Sequence, residues 1–216
     1  MRKVLTSRWT KVFLFLLCLV PAAHLGWKIY RQDVGANPVE FITHYTGDWI
    51  IRFLMITLSV TPLRKLLNLP PLARFRRMLG LFAFFYACAH FFTWFWFDKG
   101  FDFVEMGKDI VKRRFILVGM TALVLMIPLA VTSTSGWVRR LGFERWQRIH
   151  RLIYFSALAG VIHYYWLVKS DVRLPLMYGG ILAVLMIYRA AVWLQTGPRP
   201  ARAAQATNPN TAYLRD

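Results

Sequence analysis

The chain has 216 residues, 57% of them hydrophobic and 16% aromatic, and only 18% charged. One soluble core of this length cannot hide so much apolar surface, and the charges cluster between apolar stretches of roughly 20 residues, the length that crosses a bilayer. The net charge of +18 does not mark a nucleic-acid binder, which needs Lys and Arg along a soluble face. Here the cations occupy short segments between apolar stretches, as topology signals do.

Six helical spans are predicted, making the fold class an all-α integral membrane bundle. Span 1 covers about residues 9–30. Its start is basic (Arg2, Lys3, Arg8), but the apolar run outlasts a signal peptide and Pro21-Ala22-Ala23 is a poor cleavage site, so it reads as a retained anchor. Span 2 covers about 48–67, span 3 about 78–97, span 4 about 115–135, span 5 about 146–168 and span 6 about 174–194. Residues 1–195 form one transmembrane domain. The tail 196–216, rich in Pro, Ala and Asn, is expected to be a disordered cytoplasmic segment. Cys18 and Cys88 lie in apolar runs without a CxxC pattern and read as small apolar fillers.

Charge sets the expected orientation. The N-terminus, the loops near 64–77 and 136–151 and the tail from Arg189 carry 18 basic and 2 acidic residues; the opposite side carries 10 basic and 8 acidic. The first side is therefore expected in the cytoplasm, with both termini there. The opposite side has a mixed segment, 98–114, large enough to dock a partner.

Five histidines remain: His24, His44, His90, His150 and His163. Ionisable groups in a span are costly and tend to be functional, and imidazole is a common haem ligand. His90 sits about seven residues from the outer end of span 3, and His163 about five from the outer end of span 5, at the helical rise a similar depth. Both spans run the same way, which suits one iron clamped between two imidazoles. Ala83 and Ala87 share the helical face of His90; Ser156, Ala159 and Gly160 share that of His163. Small residues there would admit a flat macrocycle. They would equally admit close helix packing with histidines as hydrogen-bond donors, and spacing does not choose. His150, thirteen residues before His163, would lie about 20 Å from it on an ideal helix and off its face. It is left open as a ligand of a second haem, a residue of a quinone or flavin site, or an interfacial histidine. His24 and His44 have no partner at matched depth and are not expected to be axial ligands. Arg52, one turn inside span 2, is a candidate for binding a haem propionate, against the alternative of snorkelling to the headgroups. The tryptophans read mostly as an interface belt.

Several stretches resemble the MsrQ (YedZ-type) family of membrane subunits: GANPVEFITHYTG (35–47), TPLRKL (61–66), RRMLGLFAFFYACAH (76–90), TSTSGWVRRLG (132–142), WQRIHRLIY (146–154) and IHYYWLVK (162–169). The resemblance covers about residues 10–170. More distantly the bundle is similar to the transmembrane domain of ferric reductases and NADPH oxidases. The resemblance implies haem b, and also FMN, to which no residues are assigned. It implies His90, His150 and His163 as haem histidines. It further implies residence in the bacterial inner membrane and electron flow from the quinone pool, or from a cytoplasmic flavin reductase, to MsrP. That partner is a periplasmic molybdopterin enzyme that reduces methionine sulfoxide in oxidised proteins. The second inner histidine of the oxidase relatives is missing from span 3. No nucleophile–base pair or paired carboxylates stand out, so the expectation is an electron-transfer subunit without a substrate-converting site. The alternatives are a stand-alone ferric reductase or quinol-oxidising diheme cytochrome b, and a small-solute transporter or scaffold.

Overall fold

The computed structural model describes residues 2–168 and 170–196. Among them every regular element is helical. The elements are α1 (Arg2–Thr6), α2 (Arg8–Tyr30), α3 (Pro38–Leu66), a 3₁₀ stretch (Pro70–Phe75), α4 (Arg76–Thr93), a π-helical turn (Trp94–Asp98), α5 (Phe103–Lys112), α6 (Arg114–Val131), α7 (Ser135–Leu141), α8 (Phe143–Ile149), α9 (Leu152–Leu167) and α10 (Arg173–Thr196). The expected tail beyond Thr196 lies outside the described residues.

Among the described residues four stretches are long and apolar enough to cross a membrane: Arg8–Tyr30, Pro70–Asp98, Arg114–Val131 and Arg173–Gln195. They correspond to the expected spans 1, 3, 4 and 6. The other two differ in physical character. α3 is long, at 29 residues, but carries Asp48 and Arg52 among its apolar residues. It is also shielded by its neighbours: Ile51, Phe53, Leu54, Met55 and Leu58 are all buried. α9 has only 16 residues.

Two boundaries depart from the expectation. α3 starts at Pro38, not near residue 48. Asn37 caps it, its side-chain oxygen accepting the Glu40 N–H at 3.2 Å, and Pro38 fills the first turn where no donor is needed. The motif 35–47, expected as a loop, is therefore mostly helix. The expected span 5 is broken: α8 ends on its cap residue His150, and α9 begins two residues later. His150 and His163 thus do not share one helix, and the ideal-helix separation expected for them does not apply.

The most extensive packing joins α3 to α4 and α6 to α9, giving two helix pairs; α10 lies across α9 and α3. Phe53 stacks on Phe82 and on Tyr86, at centroid separations of 5.9 and 5.3 Å. Tyr86 also fastens α2. Pro21 interrupts that helix, and the Tyr86 hydroxyl donates to Cys18 O at 2.9 Å while accepting from Ala22 N at 3.1 Å, so it bridges the rung beside the proline. A second proline, Pro62 in α3, deprives the Leu58 carbonyl of its helical donor, and Arg189 of α10 donates to that carbonyl instead.

Candidate cofactor-binding site

His90 lies near the end of α4 and His163 near the end of α9. Their ring centroids are 6.2 Å apart and their planes perpendicular, at 90°. His90 Nδ1 is 3.0 Å from Thr43 O on α3, and His163 Nδ1 is 2.6 Å from Phe115 O on α6. A carbonyl oxygen can only accept, so both Nδ1 atoms carry the proton and both Nε2 lone pairs are left available. The Thr46 hydroxyl lies 3.4 Å from His90 Nδ1 and donates to Ile42 O at 2.7 Å. This is the arrangement of metal-binding histidines, whose second ring nitrogen donates to a carbonyl or carboxylate and fixes the tautomer.

The separation fits one metal ion. A ligating nitrogen sits about 2 Å from such an ion and roughly 1 Å from its own ring centre, so two imidazoles meeting head-on span roughly 6 Å.

The rings face a cavity of about 430 Å³, within the range of small-molecule sites. Its walls come from both helix pairs: Ile51 and Leu54 of α3, Ala87 of α4, Leu123 and Met126 of α6, and Ser156 and Gly160 of α9. Of the small residues expected to make room, Ala87, Ser156 and Gly160 line it, whereas Ala83 is fully buried in the core. Its polar lining comes from Asn37, Glu40, His44, Asp48, Asp98 and Arg113.

Two glycines make the histidine positions possible. A Cβ on Gly119 would stand 2.6 Å from His163 Nδ1, and one on Gly47 would stand 3.3 Å from His90 Cε1. Sequence reasoning did not single these out. Gly119 had one signal, a glycine inside an apolar helix, where it weakens the helix unless close approach requires it; Gly47 fell just outside the expected span 2 and had none.

The other candidates are placed elsewhere. Arg52 lies outside the cavity wall. It pairs with Asp48 at 3.2 Å, reaches Tyr178 OH at 3.4 Å and covers the Trp49 ring at 4.9 Å. The guanidinium that does line the cavity is Arg113. His150 is also away from the pair. Its ring stacks on Trp146 with centroids 4.0 Å apart, and its Nε2 is 3.1 Å from Thr132 Oγ1. That hydroxyl gives its proton to Pro128 O at 2.6 Å, so Nε2 of His150 must donate to it. His24 bonds to Tyr45 OH at 3.0 Å, and His44 pairs loosely with Glu40 at 3.8 Å. Cys18 and Cys88 are free thiols.

The segment between α4 and α6 is held by Lys99. Its ammonium, only 6% exposed, lies 2.7 Å from Asp109, 3.2 Å from Glu105 and 3.5 Å from Asp98. The hydrogen bond with Asp109 raises Lys99 above the usual lysine range and lowers Asp109 below the usual carboxylate range.

Among the described residues no group of three or more His, Cys, Asp or Glu could hold a metal ion. Two imidazoles alone would leave an iron coordinatively unsaturated, a donor set that suits a macrocycle supplying the remaining ligands.

Residues 46–161 match the family described as the ferric reductase like transmembrane component. The chain is 54% identical over 181 residues to the "Protein-methionine-sulfoxide reductase heme-binding subunit MsrQ" of Herminiimonas arsenicoxydans, covering 83% of each chain. The same description is carried by a relative from Caulobacter vibrioides, 46% identical with 83% of this chain and 84% of the other covered, and by one from Xanthomonas campestris pv. campestris, 48% identical with 88% and 89% covered. No solved structure matches. Its apolar helices and these relatives make it a multi-pass membrane protein, and the chain belongs to the MsrQ family of ferric reductase-like transmembrane components.

Proposed function

We propose that the chain is a haem b-binding electron-transfer subunit of the bacterial inner membrane, serving a periplasmic methionine sulfoxide reductase. The observation that carries this is the His90–His163 pair: 6.2 Å between rings, with each Nδ1 spent on a backbone carbonyl. The relatives' description as heme-binding subunits supports it. In this reading α3 and α9 complete a six-span bundle. α3 packs against α2, α4, α9 and α10, and its Asp48 and Arg52 pair with each other at 3.2 Å, which lowers the cost of carrying both in a span. The distribution of basic residues puts both termini in the cytoplasm.

His90 and His163 would hold the iron, Gly47 and Gly119 leave room for their rings, and Arg113, which lines the cavity and pairs with Asp109 at 3.4 Å, would be the cation for a propionate. Haem b, when bound, supplies one-electron chemistry at its iron. The chain contributes position, a low dielectric and exclusion of water. Reducing methionine sulfoxide to methionine and water takes two electrons and two protons, so two successive transfers serve each turnover. The acceptor in this reading is an MsrP-like molybdopterin reductase, and the donor is the quinone pool or a flavin reductase. FMN remains an implication of the resemblance, with no residues assigned to it.

The test is the absorption spectrum of detergent-purified protein, oxidised and then reduced with dithionite. A low-spin b-type spectrum is expected, and His90→Ala and His163→Ala should each lose it. Protein that shows no Soret band after reconstitution with haem would refute the proposal.

A further inference from the structure

The two histidine seats are built alike. The carbonyl that accepts the Nδ1 proton lies four residues before a glycine on the same helix: Thr43 before Gly47 on α3, and Phe115 before Gly119 on α6. In an α-helix the carbonyl of residue i belongs to the N–H of residue i+4. Each histidine therefore reaches over the glycine to share the carbonyl end of that glycine's own rung. With a side chain there, the ring could not approach. An alanine Cβ at position 119 would stand 2.6, 2.8 and 3.2 Å from Nδ1, Cε1 and Cγ of His163. At position 47 it would stand 3.3 and 3.4 Å from Cε1 and Nδ1 of His90. The first set is too close for any real side chain; the second demands a small shift of the ring. Alanine is the better helix former, so neither glycine serves its own helix.

We infer that Gly47 and Gly119 are positioning residues for the two axial histidines: their bare backbone lets each Nδ1–H reach a carbonyl of the neighbouring helix, which fixes the tautomer, the ring plane and the basicity of Nε2. The inference rests on the haem reading above. A hydrogen bond from Nδ1 makes the imidazole a better donor to ferric iron. Weakening that bond should therefore raise the midpoint potential and loosen the ligand.

The experiment compares full-length Gly119→Ala, Gly47→Ala and Gly26→Ala, the last being a helix glycine with nothing within 4 Å of its Cβ position. Haem affinity, ferric spin state by electron paramagnetic resonance, midpoint potential and thermal stability in detergent are measured together. Gly119→Ala should lose roughly 10–100-fold in haem affinity, the range for disturbing a partner of a metal ligand, and shift from low-spin towards high-spin iron. Gly47→Ala should stay six-coordinate with a raised potential. Gly26→Ala should match the wild type in all haem properties. If Gly119→Ala does not accumulate, the comparison of Gly47→Ala with Gly26→Ala decides. Indifference of spin state and potential to substitution at 47 and 119, with a normal wild type that His90→Ala and His163→Ala bleach, would overturn this inference alone. Retention of low-spin haem by His90→Ala or His163→Ala would overturn the haem reading and this inference with it.

Discussion

Replacing Arg189 with methionine tests how α10 is fixed to the helices that wall the cavity. Pro62 has no N–H, so the Leu58 carbonyl has no donor on its own helix. Arg189 supplies one from α10; its guanidinium also donates to Leu185 O at 2.8 Å and lies 5.3 Å from the Tyr154 ring of α9. In soluble proteins a hydrogen bond from a charged group contributes about 1.5–3 kcal/mol. Double-mutant cycles within a membrane protein average about 0.6 and reach about 1.7 kcal/mol, because the chain unfolded in the membrane finds other partners. A carbonyl freed by proline has no competing helical donor, so the upper end of that range applies. Adding about 0.5 kcal/mol for the cation–π contact, Arg189→Met should destabilise by about 2 kcal/mol. Pro62→Ala restores an N–H at position 62, and against that background Arg189→Met should cost about 1 kcal/mol less. Unfolding in mixed detergent–dodecyl sulfate micelles, followed by tryptophan fluorescence, measures all four corners of the cycle. Additivity of the two substitutions within about 0.3 kcal/mol would refute the account of Leu58.

The Lys99 cluster predicts a pH window for the segment around α5. Asp109 is lowered from its ordinary 3.8, so its contribution is present above that pH and is lost as pH falls through the folded value; Lys99 is raised from 10.5, so its contribution is present below that pH and is lost as pH rises through the folded value. Amide exchange in α5 should therefore be equally protected at pH 7 and pH 5, allowing for intrinsic rates, and less protected near pH 2; equal protection at pH 2 would refute this. Lys99→Met removes the ammonium 2.7 Å from Asp109 and leaves that carboxylate with Arg113, at 3.4 Å, which should loosen the segment and show as faster exchange of α5 at pH 7. His150→Ala should leave the low-spin spectrum of the His90–His163 pair intact, with one haem per chain, because its Nε2 is engaged by Thr132 and its ring by Trp146. Two haems per wild-type chain, falling to one in His150→Ala, would show the opposite.

What the sequence disclosed about the site follows from counting along helices. Position along a helix converts directly into depth, so His90 and His163 could be brought to one level without knowledge of which helices touch. Position around a helix, and the identity of the neighbour, could not be counted. The seats at Gly47 and Gly119 depend on pairings of α3 with α4 and α6 with α9 that no local pattern encodes. Arg52 shows the reverse case. Its partner Asp48 stands one turn before it, an i,i+4 pair present in the sequence, yet the anion was sought outside the chain. The start of α3 was also readable, since Asn37, Pro38 and Glu40 form a capping signature; hydropathy hid it because that end of α3 is polar. The break at His150 had no such signal.

Burial alone does not make a histidine a ligand; the acceptor that engages its other nitrogen does. The Thr43 and Phe115 carbonyls have lone pairs only, and each forces the proton onto Nδ1 and leaves Nε2 its lone pair. Thr132 could have played either role, but its hydroxyl is committed to Pro128 O, so it takes a proton from Nε2 of His150, the nitrogen that His90 and His163 keep free of a proton. The Thr132 hydroxyl shares the Pro128 carbonyl with the backbone N–H of Thr132 itself, an ordinary contact one turn back along α6. The same residue type thus keeps its Nε2 free of a proton twice and donates through it once, set by contacts with residues 18 to 48 positions away in sequence.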